Sequence, residues 1–169
     1  MRFFLIGFMG AGKTTLGSRV AEQSGLPFFD LDHCLERTTG TPIGDIFAHQ
    51  GEERFRQLET EALRALIVRE PDSVIAAGGG TYTSEFNRTV MREAGVSIWL
   101  DVPPEVLIAR VGGGAGRPLW TSDDEARILH ESRAQAYALA DHRLELGEEG
   151  VEESAKRLYD LLVRCRLQS

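Results

Sequence analysis

A glycine-rich motif near the start of the chain has the residue types and spacing of a phosphate-binding loop. The eight residues from Gly7 to Thr14 read G-F-M-G-A-G-K-T, which fits the pattern G-x-x-x-x-G-K-[ST]. An apolar run precedes the motif and a helical pattern follows it, so backbone N–H groups and a helix N-terminus would face the phosphates. Lys13 would reach the β- and γ-phosphates, and Thr14 would bind Mg²⁺. The predicted nucleotide-binding residues here are Gly10, Ala11, Gly12, Lys13, Thr14 and Thr15.

Proteins with such a loop usually hold Mg²⁺ with a second acidic residue at the end of a strand. The strand predicted at 73–77 is followed by three glycines, so Asp30-Leu31-Asp32, after another predicted strand, must supply the carboxylates. Residues two apart project to the same side of an extended chain. One carboxylate could then serve the metal through water while the other meets the substrate. The alternative is that Asp30 ends the strand and Asp32 only caps the next helix.

Three other features have no certain role when each is considered alone. Arg56 and Glu59 lie three residues apart on a predicted helix, which is the spacing of an ordinary surface ion pair. Arg133, on a later helix, is equally consistent with an exposed charge. The run Gly78-Gly79-Gly80 follows a central strand, where ligands of α/β proteins bind. Three bare backbone units favour a binding site over a simple turn.

The elements that must position these residues alternate between strands and helices. Apolar runs predict strands at 3–6, 27–30, 73–77, 96–100 and, more weakly, 142–146. Helical patterns cover 13–23, 32–39, 43–50, 52–69, 84–94, 104–111, 124–139 and 151–167. The alternation predicts a three-layer α/β fold, a five-stranded parallel sheet with helices on both faces. We expect a single domain over 1–169, because no linker, repeat or low-complexity tract divides the chain.

Composition argues against several classes of function. The 169 residues include 26 acidic and 19 basic side chains, and the resulting net charge of −7 disfavours nucleic acid as a partner. No apolar stretch is long enough to span a membrane, and the run after Arg2 is too short for a signal peptide. Cys34 and Cys165 form no C-x-x-C pair, and the four histidines lack metal-ligand spacing. We expect a cytoplasmic monomer without a zinc site.

The segment Gly112-Gly113-Gly114-Ala115-Gly116 cannot be fixed in one conformation without a large loss of backbone entropy. A plain surface loop would explain it. The sharper hypothesis is the hinge of a mobile lid at about 111–124, with Arg117 just beyond the glycines.

Together, these and neighbouring motifs resemble the shikimate kinase family over essentially the whole chain. They are the phosphate-binding loop completed by Gly17, F-x-D-x-D-x-x-x-E at 28–36, I-F-x-x-x-G-E-x-x-F-R-x-x-E at 46–59, G-G-G at 78–80, R-P-L at 117–119 and R-x-x-x-Y at 133–137. The resemblance implies a P-loop fold like that of nucleoside-monophosphate kinases, with a mobile lid. It also implies transfer of the γ-phosphoryl group of ATP to the 3-hydroxyl of shikimate, a step of aromatic amino acid biosynthesis, with Mg²⁺ as cofactor.

On the acceptor side, the resemblance gives each matching residue a role. Arg56 and Arg133 would grip the substrate carboxylate, a task suited to planar guanidinium groups, and Glu59 would hold Arg56. Asp32 would hydrogen-bond the attacking hydroxyl and accept its proton. The substrate would lie against Gly78, Gly79 and Gly80, and the acceptor-binding segment would span about 32–62.

On the nucleotide side, the resemblance makes Asp30 the water-mediated partner of Mg²⁺. Arg117 would swing over the phosphates and share catalysis with Lys13 and Asp32, and Arg110 would pack on adenine. The stretch Gly147–Gly150 departs from the family, because it is acidic where an arginine or proline often flanks adenine.

Two alternatives stay open at this point. Another small-molecule kinase, with a gluconate-like or nucleotide-like acceptor, would share the scaffold, although two arginines and three glycines favour a hydroxylated carboxylic acid. A nucleotide-operated module without transfer activity would share the loop. Against it, the sequence has no N-K-x-D pattern for reading guanine.

Overall fold

A parallel β-sheet forms the centre of the computed structural model, which describes residues 1–111 and 122–168. Its strands are β1 (Arg2–Ile6), β2 (Phe28–Asp30), β3 (Ser73–Ala76), β4 (Val96–Asp101) and β5 (His142–Glu145). They lie in the order β2-β3-β1-β4-β5, and each neighbouring pair is parallel. The predicted five-stranded parallel sheet is therefore confirmed.

Seven helices and one 3₁₀ turn connect the strands within the described residues. They are α1 (Lys13–Ser24), α2 (Leu31–Thr39), α3 (Ile43–Arg69), α4 (Glu85–Ala94), α5 (Pro104–Val111), α6 (Asp123–Tyr137) and α7 (Val151–Leu167), with the 3₁₀ turn at Thr81–Thr83. The helices predicted at 43–50 and 52–69 form one element, α3, which is kinked where Gly51 has a φ of 80°. No helix in the described part of the chain is both long and apolar enough to cross a lipid bilayer.

Strand β1 lies at the centre of the core. Its residues Phe3, Phe4, Leu5 and Ile6 have no exposed surface. Because neighbouring residues of a strand face opposite sides of a sheet, helices must cover both faces. This burial explains why β1 is a continuous apolar run and shows no alternation.

The strand order brings three distant segments to one edge of the sheet. Ala76 of β3 is paired with Leu5 of β1 on one side and with Asp30 of β2 on the other. The residues that follow these three strands therefore start side by side at the carboxyl end of the sheet. Ligands of open α/β sheets bind at this edge.

Helices α2 and α3 enclose a small apolar cluster of their own. Leu35, Ile46 and Phe55 are buried there, apart from the main core, and Phe47 packs on Phe55 with ring centroids 4.6 Å apart. This cluster fixes the first half of α3 against α2. The segment predicted to bind the acceptor thus has local packing that the sheet does not supply.

Candidate active site

The loop between β1 and α1 turns through conformations that favour glycine. Gly7 and Gly10 have φ angles of 142° and 81°. A Cβ atom on Gly7 would lie 2.7 Å from the carbonyl oxygen of Leu100, and one on Gly10 would lie 2.6 Å from Val111 Cγ2. Both glycines are therefore required by backbone angle and by space. The loop ends at Gly12, directly before the first turn of α1.

Lys13, the first residue of α1, folds back over this loop. Its ammonium donates hydrogen bonds to the carbonyl oxygens of Gly7, at 2.8 Å, and Phe8, at 2.9 Å. These hydrogen bonds keep the positive charge of Lys13 beside the loop, next to the N-terminus of α1. Such an arrangement concentrates positive potential where phosphate groups would sit.

Asp30 and Thr14 bring two side-chain oxygen groups together beside the loop. The Thr14 hydroxyl donates to Asp30 Oδ2 at 2.6 Å. The other carboxylate oxygen, Oδ1, accepts from the backbone N–H groups of Asp32, at 3.1 Å, and His33, at 3.4 Å, and so caps α2. A hydroxyl and a carboxylate held together are hard oxygen donors of the kind that Mg²⁺ prefers, so the two residues fit this metal.

The geometry corrects the predicted arrangement of Asp30 and Asp32. The two residues do not project from one extended strand, because Asp30 ends β2 as the N-cap and Asp32 lies in the first turn of α2. The alternative reading, with Asp32 as the cap, is wrong for the same reason. Both carboxylates nevertheless line one cavity of about 580 Å³, together with Lys13, Thr14 and Gly79.

Asp32 is the most strongly perturbed carboxyl group of this cavity. Its Oδ1 atom is buried and accepts no hydrogen bond from any described residue. Burial, followed by the charges of Asp30 and Glu59, raises the pKa of Asp32 from 3.8 to about 6, although Lys13 acts in the opposite direction. A buried carboxylate oxygen with no partner is suited to receive a hydrogen bond from a ligand hydroxyl.

Arg56 and Glu59 form a partly buried ion pair on α3. Arg56 Nη1 lies 2.9 Å from Glu59 Oε2, and the Glu59 side chain is only 1% exposed. The same guanidinium also donates to the exposed Glu52, from Nε at 3.3 Å and from Nη2 at 3.1 Å. Burial acts to lower the pKa of Arg56, but the charges and hydrogen bonds of Glu59 and Glu52 together outweigh it, so the net pKa is raised. The pair is more than the surface contact that its spacing alone would indicate.

Arg133 on α6 is a buried cation that pairs with no carboxylate in the described part of the chain. Its residue is 6% exposed, and no ion pair among residues 1–111 and 122–168 includes it. Its Cζ atom lies 5.7 Å from the centre of the Phe8 ring. A buried charge is costly unless it is paired. Arg133 is therefore suited to an anionic ligand.

One helical turn further, Tyr137 anchors α6 to the glycine segment. Its hydroxyl donates to the carbonyl oxygen of Gly79. Burial raises the pKa of Tyr137 to about 12, with Arg133 acting in the opposite direction, so the phenol is protonated and can donate. The sequence did not single out this contact, although Tyr137 belongs to one of the motifs quoted for the family.

The three glycines after β3, Gly78–Gly80, lie against the side chains described above. A Cβ atom on Gly78 would lie 2.6 Å from Glu59 Oε1 and 2.9 Å from Asp32 Oδ1. One on Gly79 would lie 3.2 Å from Arg133 Nη1, and one on Gly80 would lie 2.4 Å from Arg56 Nη2. Two guanidinium groups and a perturbed carboxyl group thus converge on three consecutive residues. Side chains on these residues would fill the space that the cluster now encloses.

A second cavity, of about 560 Å³, adjoins the phosphate-binding loop on the side of α5 and α7. Its lining includes Gly10, Thr15, Arg110 and the acidic stretch 148–150. Arg110 Nη2 donates to the carbonyl oxygen of Gly147 at 2.9 Å, and Glu149 pairs with Arg157 at 2.6 Å. The stretch that departs from the family pattern therefore lies beside Arg110, where the predicted adenine contact would be made.

Two predictions fall on residues that the structure does not describe. Arg117 lies outside the described residues, as does most of the proposed lid at about 111–124. The parts of that segment that are described belong to the end of α5 and the start of α6.

Comparisons with known proteins agree with this geometry. A sequence model of the family described as Shikimate kinase matches residues 9–163. A shikimate kinase from Cereibacter sphaeroides is 41% identical over 161 residues, which are 94% of this chain and 80% of that protein. The structure titled shikimate kinase from Acinetobacter baumannii in complex with shikimate has a TM-score of 0.90 and 34% identity, and covers 96% of this chain and 93% of that one. Shikimate kinase from Aquifex aeolicus has a TM-score of 0.84 and 36% identity, with 100% of both chains covered. The chain therefore belongs to the shikimate kinase family.

Proposed function

We propose that this chain transfers the γ-phosphoryl group of ATP to the 3-hydroxyl of shikimate, as a step in aromatic amino acid biosynthesis. The observation that carries the proposal is the convergence of Arg56, Arg133 and Asp32 on Gly78–Gly80, beside the phosphate-binding loop. Shikimate has one carboxylate and several hydroxyls, which is the chemistry that this cluster complements. The Acinetobacter baumannii relative was solved with shikimate bound, which supports the same acceptor here.

The two arginines are proposed to bind the acceptor carboxylate. Their guanidinium groups lie against the neighbouring residues Gly80 and Gly79, which supports joint binding of one carboxylate. Planar guanidinium groups suit carboxylates because they donate two parallel hydrogen bonds. Glu59 keeps Arg56 in place, and the bare glycine backbone gives the ring of the substrate room to lie close.

Asp32 is proposed to orient the attacking hydroxyl and to accept its proton. Its Oδ1 atom has no hydrogen-bond donor among the described residues, and its pKa of about 6 lies close to neutral pH. At neutral pH the group is mostly ionised but more basic than an ordinary aspartate. This combination suits a general base, whose pKa is most effective near the working pH.

The phosphate side is proposed to align and neutralise ATP. Lys13 and the N–H groups of the loop would bind the β- and γ-phosphates. Thr14 would hold the Mg²⁺ of MgATP directly and Asp30 through water, and the metal supplies further charge neutralisation on the phosphates. Phosphoryl transfer depends mainly on such alignment and electrostatic stabilisation.

The remaining nucleotide contacts are proposed from the cavity beside α5. Arg110 lines both the cavity of the phosphate-binding loop and the neighbouring one, which supports the proposal that it packs on the adenine base. Arg117 would close over the phosphates as part of a lid at about 111–124. Closure of that kind excludes water, which would otherwise compete as the acceptor.

The proposed organisation of this chain rests on its composition and its sequence pattern. We propose a single kinase domain over 1–169, with the acceptor-binding segment at about 32–62. We also propose a cytoplasmic monomer that acts on small molecules and binds neither nucleic acid nor membranes. The net charge of −7 supports this view, since it disfavours polyanionic partners.

A panel of acceptors tests the proposal. The purified chain is incubated with MgATP and shikimate, gluconate or a nucleoside monophosphate, and ADP release is measured in a coupled assay. We expect rapid ADP release only when shikimate is the acceptor. NMR of the product should show that the 3-hydroxyl of shikimate is phosphorylated. Faster ADP release with gluconate or a nucleoside monophosphate would show that shikimate is not the acceptor. ATP binding without any product would support a non-catalytic module.

A further inference from the structure

A chain of buried polar residues is hydrogen-bonded to Arg56 through Glu59. Glu59 is 1% exposed and Thr81 is 0% exposed, and the Thr81 hydroxyl donates to Glu59 Oε1 at 2.6 Å. The other oxygen of the same carboxylate, Oε2, accepts from Arg56 Nη1 at 2.9 Å. Each oxygen of this buried carboxylate therefore has one donor, and the two donors come from different parts of the fold.

Thr81 is itself fixed by its neighbours. Its N–H donates to the carbonyl oxygen of Gly78 at 3.1 Å, and its own carbonyl oxygen accepts from Asn87 Nδ2 at 3.1 Å. Asn87 Oδ1 in turn accepts from the Thr60 hydroxyl at 3.0 Å, and Asn87 is 1% exposed. Glu59 and Thr60 are adjacent on α3, so the hydrogen bonds close a ring that ties α3 to the 3₁₀ turn.

Arg56 has a competing partner, and this makes the orientation of Glu59 matter. Glu52, whose side chain is 54% exposed, also accepts from the Arg56 guanidinium, at 3.1 Å from Nη2. Exposed ion pairs contribute little, whereas a hydrogen bond to a buried charged group contributes more. Glu59 holds Arg56 against Gly80 only while its carboxylate keeps a fixed orientation. The second donor, Thr81, prevents that carboxylate from rotating.

We propose that Thr81 is a positioning residue for the acceptor: its hydroxyl, held by Asn87, orients Glu59, and Glu59 orients Arg56 against Gly80. The inference rests on the proposed function, because it assigns Arg56 to the acceptor carboxylate. Among the described residues, the hydrogen bonds of Thr81 go to Glu59, Asn87 and Gly78 and none goes to the phosphate-binding loop. Its loss should therefore weaken acceptor binding selectively and leave the nucleotide side unchanged.

The test compares Thr81→Val, which removes the hydroxyl at nearly constant volume, with Thr81→Ser, which retains it. We expect Thr81→Val to raise the KM for shikimate about tenfold, with the KM for ATP unchanged and kcat reduced less than about threefold. Thr81→Ser should restore the KM for shikimate to within about twofold of the wild type, because the donor is back in place. If Thr81→Val does not fold, Thr81→Ala removes the same hydroxyl without adding a methyl group, and the same result is expected.

The matched control is Tyr82→Phe, in the same 3₁₀ turn. Tyr82 is 2% exposed, and its hydroxyl bonds to Leu139 and Ser97 at 3.2 and 3.1 Å, away from Glu59. The Tyr82→Phe substitution should lower the melting temperature and leave the KM for shikimate unchanged. An unchanged KM in Thr81→Val, an equal increase in Tyr82→Phe, or no recovery in Thr81→Ser would overturn the proposal. Wild-type turnover of shikimate, measured in the same assay, separates these outcomes from failure of the proposed function.

Discussion

The phosphate-binding loop takes its groups from consecutive residues, whereas the proposed acceptor site combines side chains of α2, α3 and α6 with the bare backbone of Gly78–Gly80. The loop follows β1, whose core residues are fully buried, and its shape depends on backbone angles at Gly7 and Gly10. The acceptor site depends on buried charges and on a separate small cluster between α2 and α3. The comparison indicates that the proposed nucleotide site depends mainly on one contiguous segment, whereas the proposed acceptor site depends on side chains from distant segments. The two halves should therefore respond differently to mutation.

The largest effect is expected on the phosphate side, at Lys13. Lys13→Met removes the only side-chain ammonium that bonds to the loop carbonyls among the described residues. Phosphoryl transfer should fall by more than about 10³-fold, because the charge on the transferred group is no longer neutralised. Single-turnover measurements with shikimate check this. Retained activity would contradict the assignment of the phosphate-binding loop.

The next largest effect is expected at Asp32, where the two halves meet. Asp32→Asn should reduce kcat about 10²- to 10³-fold, since proton acceptance is lost, while the affinity for ATP stays within about threefold. In the wild type, kcat/KM for shikimate should decrease as the pH is lowered below about 6, because protonated Asp32 cannot accept the hydroxyl proton. Near-normal turnover of the variant would remove Asp32 from this role.

A smaller effect, confined to the acceptor, is expected at Arg133. Arg133→Lys keeps the charge but loses the planar fork, so the KM for shikimate should rise about 10- to 100-fold with the KM for ATP unchanged. The matched control is Arg127→Lys on the same helix, where the side chain is 41% exposed and pairs with Glu105. Equal effects of the two substitutions would show that Arg133 acts only through the stability of α6.

The smallest effect concerns the stability of the fold and tests whether ionisation of the buried Asp32 destabilises it. A carboxyl group whose folded pKa is raised from 3.8 to about 6 destabilises the fold at neutral pH by about 2–3 kcal/mol. The native state binds the proton more tightly than the unfolded chain, so this cost is absent below the unfolded pKa. It grows as pH rises through the folded pKa and is complete above it.

Asp32→Asn should therefore unfold at higher denaturant concentration than the wild type at pH 8. The advantage should shrink below pH 6 and disappear near pH 4. Urea denaturation at these three pH values measures it, with Asp160→Asn, an exposed carboxyl group on α7, as the control. A gain that is independent of pH would mean that titration of Asp32 does not cause it.

The sequence predicted most of the secondary structure because the local signals agreed with the burial of each element. Strand β1 is an unbroken apolar run, and it is covered on both faces. The break predicted near Gly51 is confirmed, because Gly51 has a non-helical φ of 80° and ψ of 171° and separates two helical segments within Ile43–Arg69. The 3₁₀ turn at Thr81–Thr83 was not predicted, since a single turn leaves no periodic pattern.

Asp30 and Asp32 show where reasoning from spacing failed. The expectation that both project to the same side assumed that the chain stays extended through Asp32. The N–H groups of Asp32 and His33 instead bond to Asp30, and α2 begins one residue earlier than predicted. Spacing alone cannot decide between these arrangements, because both place carboxylates two residues apart. The backbone hydrogen bonds to Asp30 Oδ1 distinguish them, and Thr14, far away in the chain, holds the other oxygen of that carboxylate.

By itself, the sequence determined the parallel α/β fold, the phosphate-binding loop and the resemblance to its family, because these depend on contiguous patterns of burial and backbone freedom. Tertiary structure alone decided that Arg56 and Arg133 meet at adjacent glycines, that Asp32 has a raised pKa, and that Thr81 holds Glu59. Such properties arise from contacts between distant segments and from the removal of charges from water. Neither the contacts nor the local burial of a charge is encoded in the spacing of any one segment.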